Sequence, residues 1–251
     1  MRRIFIDGDL SDNITLTGQT AHHLRNVLRA KKGQFFTVVD SKSKLGKFEI
    51  TDLSRGAIGA RLVEEIAPSI PTPKVILVQS ICKESTRMEW IIQKSTELGV
   101  SEIYPVISNR TVVNFDEVRS ANRRLRWQRI ANSAAEQCGR DDLLKVAPIS
   151  TLKKTLTENI DLNSSNTLFI FCYEEERDRS LKMNLRDELS NRKIDRVILL
   201  IGSEGGFEPE EAEFIKNLGG KSSSLGRIIL RVDTAAISAL SIIQYELGSL
   251  E

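Results

Sequence analysis

The sequence is poor in the side chains that most often carry chemistry. It has two histidines, adjacent at His22 and His23, and three cysteines, Cys82, Cys138 and Cys172. Neither set has metal-ligand spacing, so no metal site is expected, and the same inventory argues against a Ser-His-Asp relay. Each cysteine lies in or beside an apolar segment and reads as a reduced core thiol. No run approaches the roughly 20 apolar residues of a membrane-spanning helix. The opening MRRIFIDGDLSDN has no apolar stretch of the signal-peptide kind. The cytoplasm is therefore the expected compartment, with no membrane partner. What is present is an ordinary globular composition, 40% hydrophobic and 28% charged over 251 residues. That length suits one large or two ordinary domains.

Charge is nearly balanced at +2, but it is not evenly spread. Residues 1–70 carry 11 Lys/Arg against 8 Asp/Glu, residues 71–150 carry 12 against 9, and residues 151–251 carry 13 against 17. The first 150 residues are the polyanion-facing half if either half is. A solvated surface accounts for so modest a contrast nearly as well.

The hydrophobic pattern changes character near residue 70. Before it, Arg3–Ile6, Gln34–Asp40, Lys47–Thr51 and Ala57–Val63 read as short strands. A helix over about Gly18–Arg29 has Leu24, Val27 and Leu28 as its apolar residues and displays His22, Arg25 and Arg29. That display is either a wet helix face or an edge that contacts phosphate. Pro68, Pro71 and Pro73 then break both helix and strand, which marks a linker. The expected organisation is a small β-rich domain over 1–68, a linker over 69–73 and an α/β domain over 74–251.

In that last part strands and helices alternate. Val75–Gln79, Ile103–Ile107, Leu168–Cys172 and Val197–Ile201 are apolar strand candidates, with Pro105 placing the second at an edge or strand end. Thr86 and Glu89 have capping-box spacing ahead of a helix ending at Gly99. A second helix over about Glu117–Cys138 carries five arginines around Trp127, with Leu125, Ile130 and Ala134 as its apolar side. It too is a wet face or an RNA-facing one. A last helix runs from Asp233 to Leu247.

The most informative stretch is Val197–Leu240. The strand Val197–Ile201 leads into Gly202-Ser203-Glu204-Gly205-Gly206, and Pro209 follows as a first helical residue among Glu208, Glu210 and Glu211. There is no Gly-Lys-Ser/Thr and no Gly-x-Gly-x-x-Gly, and glutamates stand where a phosphate needs positive charge. The loop is a plain strand-to-helix turn, or it receives a neutral or cationic ligand. A second tight loop, Ser224–Arg227, leads into Ile228–Arg231, read as a further strand. Ligand crevices in open α/β sheets lie off the carboxyl ends of strands. The loops after Cys172 and Ile201 are thus expected to share one pocket, with 224–231 as its third wall.

Ile201–Phe207 and Leu225–Ala235 together resemble the two C-terminal motifs of RsmE-type RNA methyltransferases, members of the SPOUT superfamily. Further similar segments are Lys83 with Arg87–Glu89, Gln93–Val100, Asn109–Thr111, Ala134–Arg140 and His22–Arg29, so the resemblance spans nearly the whole chain. The family usually has proline where Ser203 stands and glutamate where Asp233 stands. The resemblance implies a trefoil-knotted methyltransferase domain behind a small PUA-like RNA-binding barrel, against the general rule that chains avoid knots. It implies S-adenosylmethionine as cofactor, 16S ribosomal RNA of the small ribosomal subunit as substrate, N3-methyluridine as product, and a homodimer. Cofactor contacts are then expected at Phe171, Cys172, Ile201, Gly202, Glu204, Gly205, Gly206, Leu225, Gly226, Ile229 and Leu230. RNA contacts are expected at Arg2, Arg3, His22, Arg25, Arg29, Lys83, Arg110 and Arg140.

Attack by a uracil ring nitrogen needs no cysteine nucleophile, which suits the thiol settings. It does need help with the anionic base, and Arg231 is the first candidate for that cation; its alternative role is an ion pair with Asp233 or a helix-end contact. Other readings are ribose 2′-O-methylation by a similar pocket, or a non-catalytic RNA-binding protein of ribosome assembly.

Overall fold

The computed structural model describes residues 3–6, 8–54, 56–68, 72–112, 116–162 and 164–250, without the side chains of Gln19 and Val27. Two units separate, Met1–Ile70 with Ala135–Leu143, and Pro71–Ala134 with Leu144–Glu251. Residues 69–71 of the expected linker lie outside the described residues.

The first unit is built from β1 (Arg3–Phe5), β2 (Asn13–Thr17), a short helix α1 (Gly18–His22) that continues as a wide turn over His23–Val27, β3 (Phe35–Val39), β4 (Leu45–Ser54) and β5 (Ala57–Ile66). They form one sheet in the order β1-β3-β4-β5-β2. Register shifts at Lys47/Phe48 and Ile50/Asp52 put irregularities into β4, and such bulges sharpen the twist of a strand. The curled sheet and α1 enclose Ile4, Leu16, Leu24, Phe36, Phe48 and Ile58. Strand β2 was not expected, because in NITLT only Ile14 and Leu16 alternate inward and only Leu16 is fully buried. The expected helix over 18–29 is shorter, and Arg29 sits beyond it at φ 49°.

Asp40 ties this unit's loops together. It is fully buried and accepts hydrogen bonds from the backbone N–H of Leu10 at 3.2 Å and of Lys42 and Lys44 at 2.8 Å each. Asp40→Ala strands these donors and should cost about 3 kcal/mol. The check is a lower urea midpoint for this unit with an unchanged slope. An unmoved midpoint would show that water replaces the carboxylate.

The second unit alternates strands and helices: β6 (Lys74–Ser80), α2 (Ser85–Glu97), β7 (Glu102–Ile107), α3 (Glu117–Cys138), β8 (Lys145–Val146), β9 (Ser150–Thr151), α4 (Leu152–Lys154, running on as a wide turn to Asn159), β10 (Thr167–Cys172), α5 (Leu181–Asn191), β11 (Arg196–Ile201), α6 (Pro209–Asn217), β12 (Lys221–Ser223) and α7 (Val232–Glu246). All strand pairs are parallel, in the order β12-β10-β11-β6-β7-β8, with β9 also on β7. Successive strand residues face opposite ways. Val75, Leu77, Leu168, Ile170, Val197 and Leu199 pack with α2, α3, α5 and α7, while Ile76, Val78, Phe169, Phe171, Ile198 and Leu200 pack with α4 and α6. Cover on both faces is why these strands read as continuous apolar runs. No helix among the described residues is long and apolar enough to cross a membrane.

Several expectations need correcting. The Thr86/Glu89 capping box does not form: α2 starts at Ser85 after Glu84 without a side-chain cap, and Glu89 is engaged by Ser85 Oγ at 3.1 Å and by Arg126 at 2.9 Å. Strand β7 is not an edge. Its outer partners β8 and β9 pair with Glu102–Ile103 and Val106–Ile107, so Pro105 falls in the gap between them, where no ladder bond is lost. On α3 the inner face is Trp127, Ala131 and Ala134, while Leu125 is 52% exposed. Two residues are about 200° of helix, so Leu125 points away from Trp127. The arginine run is partly structural, since Arg124 Nε donates to the Val146 carbonyl at 2.9 Å and Arg126 pairs with Glu89. Cys138 is exposed rather than a core thiol. Residues 228–231 are irregular, not a strand; the edge strand on β10 is the preceding Lys221–Ser223. Its KSS sequence has no apolar signal because the edge of β10 needs only backbone partners.

Candidate active site

Strands β12, β10 and β11 are neighbours, and register pairs Cys172 with both Ser223 and Ile201. Three carboxyl ends therefore lie side by side, and the loops leaving them enclose a cavity of about 440 Å³. Backbone bonds lock two of these loops together: Tyr173 N–H to Ser223 O at 3.1 Å, Ser224 N–H to Arg179 O at 2.8 Å, and Leu181 N–H to Ser224 O at 3.0 Å.

The glycine loop after β11 is drawn into a tight turn, with Gly206 N–H donating to Ser203 O at 3.0 Å. Gly206 sits at φ 70°, and a Cβ there would lie 1.8 Å from a Glu174 carboxylate oxygen. A Cβ on Gly202 would come within 3.2 Å of the Gly206 backbone. Partners distant in sequence hold the turn. Gln79 Nε2 donates to Gly202 O at 3.3 Å, and Arg110 Nη1 donates to Gly205 O at 2.7 Å while standing 3.9 Å from Glu174. Asn109 reaches Glu211 through its backbone N–H and Glu208 through its side chain, both at 2.8 Å. Helix α6 starts as read, with Pro209 in its first turn and Glu208 and Glu211 closing a reciprocal capping box.

Of the residues expected at a cofactor, Cys172, Ile201, Gly202, Glu204, Gly205, Gly206, Leu225, Gly226, Ile229 and Leu230 line the one cavity, and so does Arg231. Phe171 does not: it is fully buried on the opposite sheet face against Phe207 and Tyr173. The strand alternation that turns Cys172 towards the cavity side turns its predecessor away. Glu174 and Arg177 on the loop after β10 and Arg227 in the expected third wall also line the cavity; Arg87, on α2, was not expected there, because it is brought in by a helix distant in sequence from the three loops.

The residues expected to contact RNA fall into both units. In the first, His22 and Arg29 are exposed, and Arg25 donates to the Ser54 carbonyl. Arg3 pairs with Asp141 at 2.5 Å, and Arg140 forms a two-point pair with Asp142 at 3.0 and 2.7 Å with its side chain only 8% exposed. Arg140 is therefore committed internally. In the second unit Lys83 is exposed, and Arg110 covers the glycine loop. Arg2 lies outside the described residues.

Electrostatics separates the cavity's groups. Glu204 accepts from the Lys83 backbone N–H at 3.1 Å and lies 3.7 Å from Arg87. Burial, reinforced by the Glu204 charge, pushes the nearby Cys82 thiol up to about 12, and burial alone does the same to Cys172. Neither thiol is a nucleophile near neutral pH. Arg231 caps the start of α7 only through its backbone, and no described residue pairs with its side chain, so the expected alternative of an Asp233 ion pair is not formed. One Asp233 carboxylate oxygen is instead buried without a hydrogen-bond partner among the described residues.

A strand-end cavity framed by a glycine turn, two committed glutamates and arginines without partners among the described residues, with inert thiols, is the kind of ligand crevice that α/β folds provide. Residues 68–244 match the model of the RNA methyltransferase domain, and residues 16–63 that of the RNA methyltransferase PUA domain. The ribosomal RNA small subunit methyltransferase E of Bacillus subtilis is 28% identical over 98% of this chain and 97% of its own length. That of Synechocystis sp. is 31% identical over 91% of this chain and 71% of its own. The crystal structure of the Neisseria gonorrhoeae enzyme bound to S-adenosyl methionine is 30% identical, covers 98% and 97% of the two chains, and superposes with a TM-score of 0.82. The chain belongs to the ribosomal RNA small subunit methyltransferase E family of RNA methyltransferases, as its C-terminal motifs led one to expect.

Proposed function

We propose that the chain methylates N3 of a uridine in 16S ribosomal RNA with S-adenosylmethionine as methyl donor, acting in the cytoplasm as a homodimer. The observation that carries this is the cavity at the ends of β10, β11 and β12, built by the segments that hold the family motifs. Its volume of about 440 Å³ lies within the range of small-molecule sites. The glycine turn leaves no room for a Cβ at Gly206, and Glu174 brings negative charge beside it, which suits a cation. The donor fits there, against Ile201, Gly202, Gly205 and Gly206 on one side and Leu225, Gly226, Ile229 and Leu230 on the other.

S-adenosylmethionine supplies an electrophilic methyl group on its sulfonium. Uracil N3 is weakly acidic and becomes anionic as its proton leaves to water. Arg231, without a partner among the described residues at the cavity wall, faces the uracil carbonyls and stabilises that charge. The new bond is N3–CH3 and the broken bond is the sulfonium–methyl bond. The loops that frame the cavity hold the two in line. Glu204 is already held by Lys83 and Arg87 and lines the cavity.

The test is mass spectrometry of small-subunit RNA after incubation with enzyme and labelled cofactor. N3-methyluridine is expected; label on a ribose 2′-oxygen, or none, would refute the assignment. The outward side chains Met183 on α5 and Ile242 and Tyr245 on α7, 46%, 36% and 65% exposed, support pairing through these helices. Light scattering should report a dimer at micromolar concentration, and a monomer would overturn that part.

A further inference from the structure

Glu174 and Glu204 line the cavity together with Arg87 and Arg177. Its third wall is residues 225–231, Leu-Gly-Arg-Ile-Ile-Leu-Arg, with two cations and no carboxylate. Neither Arg227 nor Arg231 has a side-chain partner among the described residues. Between them Ile228 and Ile229 are 80% and 78% exposed, the most exposed large hydrophobic side chains described. The segment is anchored: Ser224 bonds to Arg179 and Leu181, its hydroxyl engages both backbone groups of Gly226 at 3.2 Å, and Val232 at the far end is buried. The isoleucines are thus held outward on a tethered loop at the mouth of the cavity.

We infer that residues 227–231 form the docking rim for the target nucleotide and its 5′ or 3′ phosphate: Arg227 holds a phosphate, and Ile228 packs on the face of an unstacked base. This rests on the reading above that RNA is the substrate. The chemistry is that of single-stranded RNA, which offers an anionic backbone and an apolar base face within one nucleotide of each other. Charge complementarity selects it, since two uncommitted arginines flanking an apolar tip match that pattern. The acidic C-terminal part of the chain therefore carries its own RNA contact, separate from the basic first 150 residues.

The experiment compares wild type, Arg227→Ala and Ile228→Ser. It measures KM for small-subunit RNA over a salt series, affinity for S-adenosylmethionine, and oligomeric state. Arg227→Ala should raise the RNA KM about tenfold and lower the slope of log affinity against log salt by about 0.7. Ile228→Ser should raise KM about fivefold or more, through lost base packing, with the salt slope unchanged. Cofactor affinity and assembly should stay at wild-type values in both. Unchanged KM and slope in Arg227→Ala overturn the inference. So does a loss of cofactor affinity with RNA affinity retained, which would make the rim part of the donor site. Dissociation of Ile228→Ser into monomers also overturns it, because a second copy would then cover Ile228. A wild-type enzyme that transfers no methyl to RNA refutes the proposed function instead; methylating wild type with indifferent variants refutes the rim alone.

Discussion

Arg231→Ala should lower methyl transfer by about 10²–10³-fold while S-adenosylmethionine affinity stays within a few fold. The reason is where its charge is available. Most arginines of this chain with a plausible RNA role are spoken for: Arg140 by Asp142, Arg3 by Asp141, Arg110 by the Gly205 carbonyl. Arg231 lines the cavity with no partner for its guanidinium among the described residues. A cation kept free at the wall of a cavity stabilises charge that develops only as the N3 proton leaves, so its loss should fall on kcat more than on donor binding. Arg231→Lys should recover part of the rate, because the charge returns without the planar fork. Wild-type-like turnover in Arg231→Ala would remove the residue from the mechanism. A parallel loss of donor affinity would move it from the base to the donor.

Gly206→Val should weaken S-adenosylmethionine binding by about tenfold to a hundredfold. Position 206 needs φ 70°, which a β-branched residue adopts at a cost of about 1–3 kcal/mol, equivalent to that range of affinity if the loop relieves the strain by opening. The new Cβ also meets the Glu174 carboxylate at 1.8 Å, so Glu174 must swing away from the cavity edge and from Arg110. Gly219→Ala is the control. Gly219 has φ 86° but nothing within 4 Å of an added Cβ, and it lies at the far end of α6. It should lose comparable stability and keep its donor affinity, as read by calorimetry with S-adenosylmethionine. Equal loss of affinity in both variants would mean that global destabilisation, not the glycine turn, is responsible.

Much of the second unit was legible because its signals are local. Val75–Gln79, Leu168–Cys172 and Val197–Ile201 read as strands from their apolar runs, and each is a strand in the sheet. Pro209 with Glu208 and Glu211 marked the start of α6, since capping chemistry is complete within four residues. The same local logic misled where tertiary context decided. Thr86 and Glu89 have the right spacing for a capping box, but Glu89 is drawn to Ser85 and Arg126. Ile228–Ile229–Leu230 has strand composition, but the edge of β10 is taken by Lys221–Ser223, and the isoleucines are left in solvent. Phe171 adjoins the cavity in sequence and faces away from it in space, because a strand turns alternate side chains to opposite sides.

By itself the sequence determined the family, the α/β class of its larger part and the glycine turn, all of which follow from short-range pattern or backbone preference. The tertiary structure alone decided which charges are free. Whether an arginine contacts RNA, steadies a loop or closes an internal ion pair depends on groups set opposite it by the fold, as with Arg110 and Gly205, 95 residues apart. A hydrogen bond or ion pair acts over a few ångströms, and no spacing along the chain reports which residues will come that close.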